Sequence, residues 1–287
     1  MKRILCTLIR TLKSVSFVAT IIAIGVLPLA AQDYRAPHGP DGKPDLNGIW
    51  QALNEANYDL EAHVARPAMA LRAGPYGAVP AAATLALGAV GAVPPSLGVV
   101  EGGEIPYKPE ALARRKQNQQ DWLSLDPEIK CYLPGVPRAT YMPYPFQILQ
   151  SASALTFVYE YAGAVRNVFL TDPGPAPADS WMGRSVGHWE GDTLVIDVTD
   201  LNDQTWFDRA GNFHSDKLHV VESYTRTSPH VISYEATIED PNIFTRPWKI
   251  SMPLYRRLEK NAQLLDFKCV EFVEELLYGK YRRHPLN

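Results

Sequence analysis

Apolar and polar residues alternate with a period of two through much of the chain beyond residue 150, and that rhythm predicts strands. Leu155 to Tyr161 and Val165 to Thr171 read as a hairpin turning at Ala162-Gly163-Ala164. Centring that turn on Gly163 sets Glu160 opposite Arg166. Tyr159, Tyr161, Asn167 and Phe169 then fall on the other face. Gly187 to Thr199 reads as strand, Gly-containing turn and strand. Leu218 to Thr225 and Val231 to Glu239 pair around Ser228-Pro229-His230, and Trp248 to Leu258 pairs with Leu264 to Phe272. About eight strands in hairpin succession predict a mainly β fold. The expected form is an antiparallel calycin-like barrel or half-barrel, with a β-sandwich as the other architecture the pattern allows.

The helical pattern is sparse. Pro109 to Trp122 is the clearest helix, with proline in its first turn, strong helix formers after it, and a small apolar face centred on Leu112 and Trp122. Asn54 to Arg66 suggests a short helix capped by Asn57, and the tail from Glu274 another. From Val64 to Val100, 21 of 37 residues are Ala, Gly or Pro. Such a run forbids a long helix and disfavours a strand, so it predicts an extended arm or a lid over the barrel mouth. The organisation is thus a leader over 1–31, an arm with a short helix over 32–108, and an antiparallel β domain over 109–287.

The leader changes the picture most. Met1-Lys2-Arg3, with Arg10 and Lys13, precedes an apolar run from Ser14 to Leu29, and Leu29-Ala30-Ala31 supplies small residues for a signal peptidase. Cleavage after Ala31 predicts a periplasmic or secreted protein with no membrane span. It also takes the formal charge from −3 to −7, with 24 basic against 31 acidic residues. That balance, and basic pairs no longer than Arg256-Arg257, argue against nucleic acid as a partner. Two cysteines remain, Cys131 and Cys269. In an oxidising compartment they predict one disulfide, with two buried free thiols as the competing reading.

Several segments resemble a large group of secreted bacterial proteins. They are Trp189-Glu190-Gly191-Asp192-Thr193-Leu194-Val195-Ile196-Asp197-Val198-Thr199, Asn202 to Asp208, Glu239-Asp240-Pro241, Thr245 to Trp248, and Cys131-Tyr132-Leu133-Pro134-Gly135-Val136-Pro137-Arg138. The likeness covers most of 105–272. It implies secretion and kinship, and brings no activity or catalytic residue with it.

Candidate chemistry concentrates between Asp200 and Asp216, where Asp208, His214 and Asp216 could supply acid–base catalysis. Asp200, Asn202 and Asp208 could offer oxygen to a cation, but the spacing fits no EF-hand, and alternation puts His214 and His219 on opposite faces. No metal is expected. Gly183-Arg184-Ser185-Val186-Gly187 matches the serine-hydrolase pattern, yet no helix follows Ser185, so it reads as a turn. No nucleotide or haem motif is present, so no cofactor is expected. Trp206, Tyr159, Tyr161, Arg138 and Tyr144 are the expected ligand contacts. The leading reading is a barrel binding a small apolar or aromatic molecule. An enzyme using His214 with a neighbouring aspartate, in a lyase, isomerase or hydrolase reaction, is the alternative. An envelope interaction module is the third. Oligomeric state is left open.

Overall fold

The computed structural model describes residues 34–65, 71–80 and 93–271. The predicted leader and the predicted tail helix lie outside the described residues, as does much of the Ala/Gly/Pro run.

Nine strands close into a barrel. They are β1 (Gly48–Ala52), β4 (Phe146–Gln150), β5 (Ala154–Tyr159), β6 (Val165–Phe169), β7 (Arg184–Glu190), β8 (Thr193–Thr199), β9 (His219–Ser228), β10 (Val231–Glu239) and β11 (Trp248–Arg256). A separate hairpin pairs β2 (Leu71–Gly74) with β3 (Gly77–Pro80) within the Ala/Gly/Pro run that was expected to disfavour strands, its turn passing through Gly74-Pro75-Tyr76-Gly77. The strands from β4 to β11 follow one another around the wall, and β1 closes the ring between β11 and β4. An odd number of strands cannot alternate direction all the way round, so one neighbouring pair must be parallel. That pair is β6 and β7, joined by residues 170–183. The barrel is therefore mixed, where a wholly antiparallel one was expected.

Inward positions alternate as the sequence pattern demands. Leu194, Ile196 and Val198 on β8 and Ile232, Tyr234, Ala236 and Ile238 on β10 are all buried. The β7–β8 turn passes through Gly191 at φ +59°, a left-handed position that glycine occupies without strain. Gly187 serves the parallel seam, because a Cβ there would stand 2.8 Å from Val168 Cγ1.

Three further expectations need correcting. Residues 264–271 form no strand; β1 already pairs with β11, so the edge they were expected to extend is occupied. Residues 54–65 make a single turn instead of a short helix. Asn57, expected as its cap, accepts from Arg138 Nε at 2.8 Å. The segment expected to lie outside the barrel also supplies one of its strands, β1.

The best-predicted helix, α1, runs Pro109–Gln120, and the short α2 (Trp122–Leu125) and α3 (Arg138–Tyr141) follow. α1 buries Ala111 and Asn118 while Leu112 stays 37% exposed. The buried face differs from the expected one because Asn118 Nδ2 donates to Gly211 O at 3.2 Å, which turns that side of the helix to the protein.

Candidate functional site

His214 sits in a closed environment. Its Nε2 lies 2.6 Å from Thr205 Oγ1 and its Nδ1 lies 2.9 Å from Ser215 O. A neutral ring satisfies both: Nδ1–H donates to the carbonyl and Nε2 accepts from the hydroxyl. Burial pushes its pKa down, which keeps it neutral. Asp208 is engaged elsewhere. It accepts from Leu60 N at 2.9 Å, Ala210 N at 3.0 Å, Asn212 N at 3.2 Å and Asn212 Nδ2 at 2.6 Å. Burial, then the nearby Asp59, push it up to about 7. Asp216 is exposed and paired with Lys217 at 2.8 Å. The three residues expected to cooperate in acid–base chemistry are thus not hydrogen-bonded to one another. Asp208 ties its own turn to the residue-60 segment, and His214 is locked between Thr205 and the main chain.

The barrel interior holds a polar core. Its hairpin register differs from the one expected, because the β5–β6 connection turns through Ala162 at φ +55° and Tyr159 N donates to Ala164 O. Phe157 therefore faces Arg166, and Thr156 faces Asn167. The shift between the two registers is odd, so Arg166 moves to the face of Phe157 and Tyr159, inside, while Asn167 and Phe169 turn outward. Glu160 lies in the turn, where its carboxylate accepts from Leu265 N at 2.8 Å. Inside, Arg166 pairs with Glu222 and its Nε donates to Ser185 Oγ at 2.7 Å. Ser185 is therefore an inward strand residue of β7 and not part of a turn. Tyr224 and Tyr234 donate to Glu222 Oε1 at 3.0 and 2.7 Å. Burial, then the Glu222 charge, push both tyrosines well above their usual range. Tyr159 OH and Arg166 Nη1 find no hydrogen-bond partner among the described residues. Trp50, Phe146 and Phe157 occupy further interior positions, all fully buried.

A cleft of about 220 Å³ opens beside the barrel. It brings together two of the expected ligand contacts, Tyr144 and Tyr161. Tyr144, Tyr161 and Phe267 form its aromatic wall, with ring centroids 5.0 Å apart for Tyr144–Phe267, 4.8 Å for Tyr161–Phe267 and 5.7 Å for Tyr144–Tyr161. Ile129 and Val270 add apolar surface, and Glu128 and Arg209 form the polar side. Arg138 lies behind them. Arg209 grips Glu128 with two bonds of 2.8 Å, and Arg138 Nη2 adds a third at 2.7 Å. Burial alone would raise the Glu128 carboxyl, but the Arg209 and then the Arg138 guanidinium outweigh it and hold the group at about 2. Asp126 lies 3.6 Å from Arg138 Nη1 and is fully buried. Burial pushes it up to about 6, against the opposing pull of Arg138.

The strap that carries Phe267 is tied by the Cys131–Cys269 disulfide, as the cysteine count suggested. Phe267, Glu128 and Arg209 were not singled out in the sequence. The pairing of the two cysteines was the one signal that could have placed Phe267, two residues from Cys269, near the residue-128 segment. Tyr159 lies in the barrel core, and Trp206 lines another cleft.

Asp126 gives a measurable pH dependence. Its pKa is raised in the folded protein, from an ordinary 3.8 to about 6. Its stabilising contribution is therefore fully present below the ordinary value and is lost as pH rises through about 6. Asp126→Asn should flatten the stability profile between those pH values. Denaturant midpoints that fall in parallel for both proteins would refute the assignment.

Among the described residues no group of three or more His, Cys, Asp or Glu side chains is arranged to hold a metal ion. No helix among them is long and apolar enough to cross a membrane. Fold and site together define a closed nine-stranded β-barrel protein with an aromatic cleft on its outside, strapped by a disulfide. Comparison with family models, curated proteins and solved structures finds no match to this chain.

Proposed function

We propose that this is a periplasmic or secreted β-barrel protein that binds a small aromatic or apolar molecule in the cleft formed by Tyr144, Tyr161 and Phe267. The cleft's three rings around about 220 Å³ carry the reading. An apolar cavity of about 150 Å³ suffices for benzene, and drug-sized ligands need about 300 Å³ or more. The volume therefore suits a molecule with a single ring. The barrel interior is the poorer location, since its own side chains occupy it. The disulfide supports an oxidising compartment. The acid–base reading draws no support from His214, whose two ring nitrogens are both engaged within the fold.

Benzyl alcohol is a suitable probe. Titrated into the oxidised protein and followed by ligand-observed NMR, it should bind saturably. Phe267→Ala should weaken that binding about tenfold, since one aromatic contact contributes up to about 1.5 kcal/mol. Native mass spectrometry of protein purified from its own periplasm should show a retained small molecule that Phe267→Ala releases. Equal binding by the variant, or no saturable binding by either protein, would sink the proposal.

A further inference from the structure

A second concavity, about 250 Å³, has the opposite character. The segment from Leu125 to Tyr132 separates the two. It gives Glu128 and Ile129 to the aromatic cleft, and Leu125, Pro127, Lys130 and Tyr132 to this one. Arg114 from α1 lines its other side, with Asp203, Gln204 and Trp206 from the loop after β8.

Its two cations stand over aromatic rings. The Arg114 guanidinium lies 4.4 Å from the centre of the Phe213 ring, and the Lys130 ammonium lies 6.0 Å from that of Tyr132. Neither makes an ion pair among the described residues, as is also true of Arg256 over the Trp50 ring. An aromatic face orients a cation through its quadrupole and supplies no net counter-charge. Both groups are thus held at the cleft with their charge uncompensated by a carboxylate partner. Asp203 is the one acid in the lining, so two positive charges face one negative.

We infer that this cleft is a binding site for a small oxyanion, a carboxylate or a sulfate or phosphate group, held between Arg114 and Lys130. Arg114 offers a planar fork suited to such a group, and Lys130 a point charge from the Leu125–Tyr132 segment. Trp206, one of the ligand contacts expected from the sequence, forms part of the lining. The site stands independently of the aromatic cleft and of what binds there.

Sodium sulfate is the probe, titrated against sodium chloride at constant ionic strength, with the indole N–H resonance of Trp206 as the reporter. That resonance is assigned by its loss in Trp206→Phe. Sulfate should shift it saturably and chloride should not. Arg114→Gln and Lys130→Gln should each weaken sulfate binding about fivefold, the upper end for an exposed ion pair. Asp203→Asn, which removes the competing acid, should tighten it. Lys268→Gln, a charge removed at the aromatic cleft, should leave it unchanged. Backbone resonance dispersion in the same spectra shows that each variant is folded. A linear, unsaturable response would overturn the inference. So would a loss in Lys268→Gln equal to that in Arg114→Gln, since it would reflect only the protein's overall charge.

Discussion

Glu222→Ala should cost about 3–5 kcal/mol of folding stability, the largest single-residue effect in the barrel. The carboxylate it removes is fully buried and accepts from Arg166, Tyr224 and Tyr234. Without it a guanidinium is stranded in the interior beside two unpaired hydroxyls, and desolvated charge left without a partner is far more costly than a lost contact. Domains of this kind have about 5–15 kcal/mol to lose, so the variant should sit close to unfolding. The charge pair as such need not stabilise. Arg166→Met combined with Glu222→Leu keeps similar volumes and removes both charges, so it should recover the part of the loss due to the stranded guanidinium and leave the cost of the two tyrosine hydroxyls. Urea unfolding of the three proteins decides the point. A single variant within about 1 kcal/mol of the wild type would mean that the pair behaves as an exposed one and that water reaches the core.

Cutting the disulfide should abolish probe binding at the aromatic cleft while the barrel stays folded. The strap over residues 264–271 adds no strand to the barrel. Besides the Cys131–Cys269 link, its ties among the described residues include the Phe267 ring contacts and the bond from Leu265 N to Glu160. One hydrogen bond to a carboxylate and two ring contacts contribute about 3–5 kcal/mol together, too little to hold an irregular segment of this length against a chain entropy of about 1–2 kcal/mol per residue. Phe267, Lys268, Cys269 and Val270 would leave with it, and they form one side of the cleft. The stability cost has a ceiling of about 5 kcal/mol, from closing a loop whose ends are 138 residues apart. The observed loss should be smaller, because a released strap leaves the reduced native state less ordered too. Cys269→Ser, or wild type treated with dithiothreitol, should therefore unfold cooperatively and fail to bind benzyl alcohol. Retained binding after reduction would show that the strap stays in place without its tether.

Most strands were legible in the sequence because alternation is a local signal. β7 to β11 lie where period-two patterning and turn residues put them. β1 and β4 were not seen. Gly48–Ala52 and Phe146–Gln150 are five residues each, and both have turn-rich flanks that mask so short a period: β1 lies among turn residues, and β4 follows Pro143-Tyr144-Pro145 directly. The face of β6 was misassigned for a related reason. A turn through Ala162 in the left-handed region is not written in residue type, and it decided which side Arg166 took.

The sites divide in the same way. Tyr144, Tyr161 and Arg138 were candidates from the sequence, but their partners Glu128, Arg209 and Phe267 come from segments far apart in the chain. His214 and Asp208 looked like a pair because they lie six residues apart, and the fold gave each a different set of hydrogen bonds.

The sequence by itself determined the β class, the β7–β8 and β9–β10 hairpins and the pairing of Cys131 with Cys269, all of which follow from local period or from counting. Only the tertiary structure decided how the ring closes, which face Arg166 takes, and where the aromatic cleft lies. Those depend on strand number, turn geometry and contacts between distant segments, and no local stretch of residues encodes them.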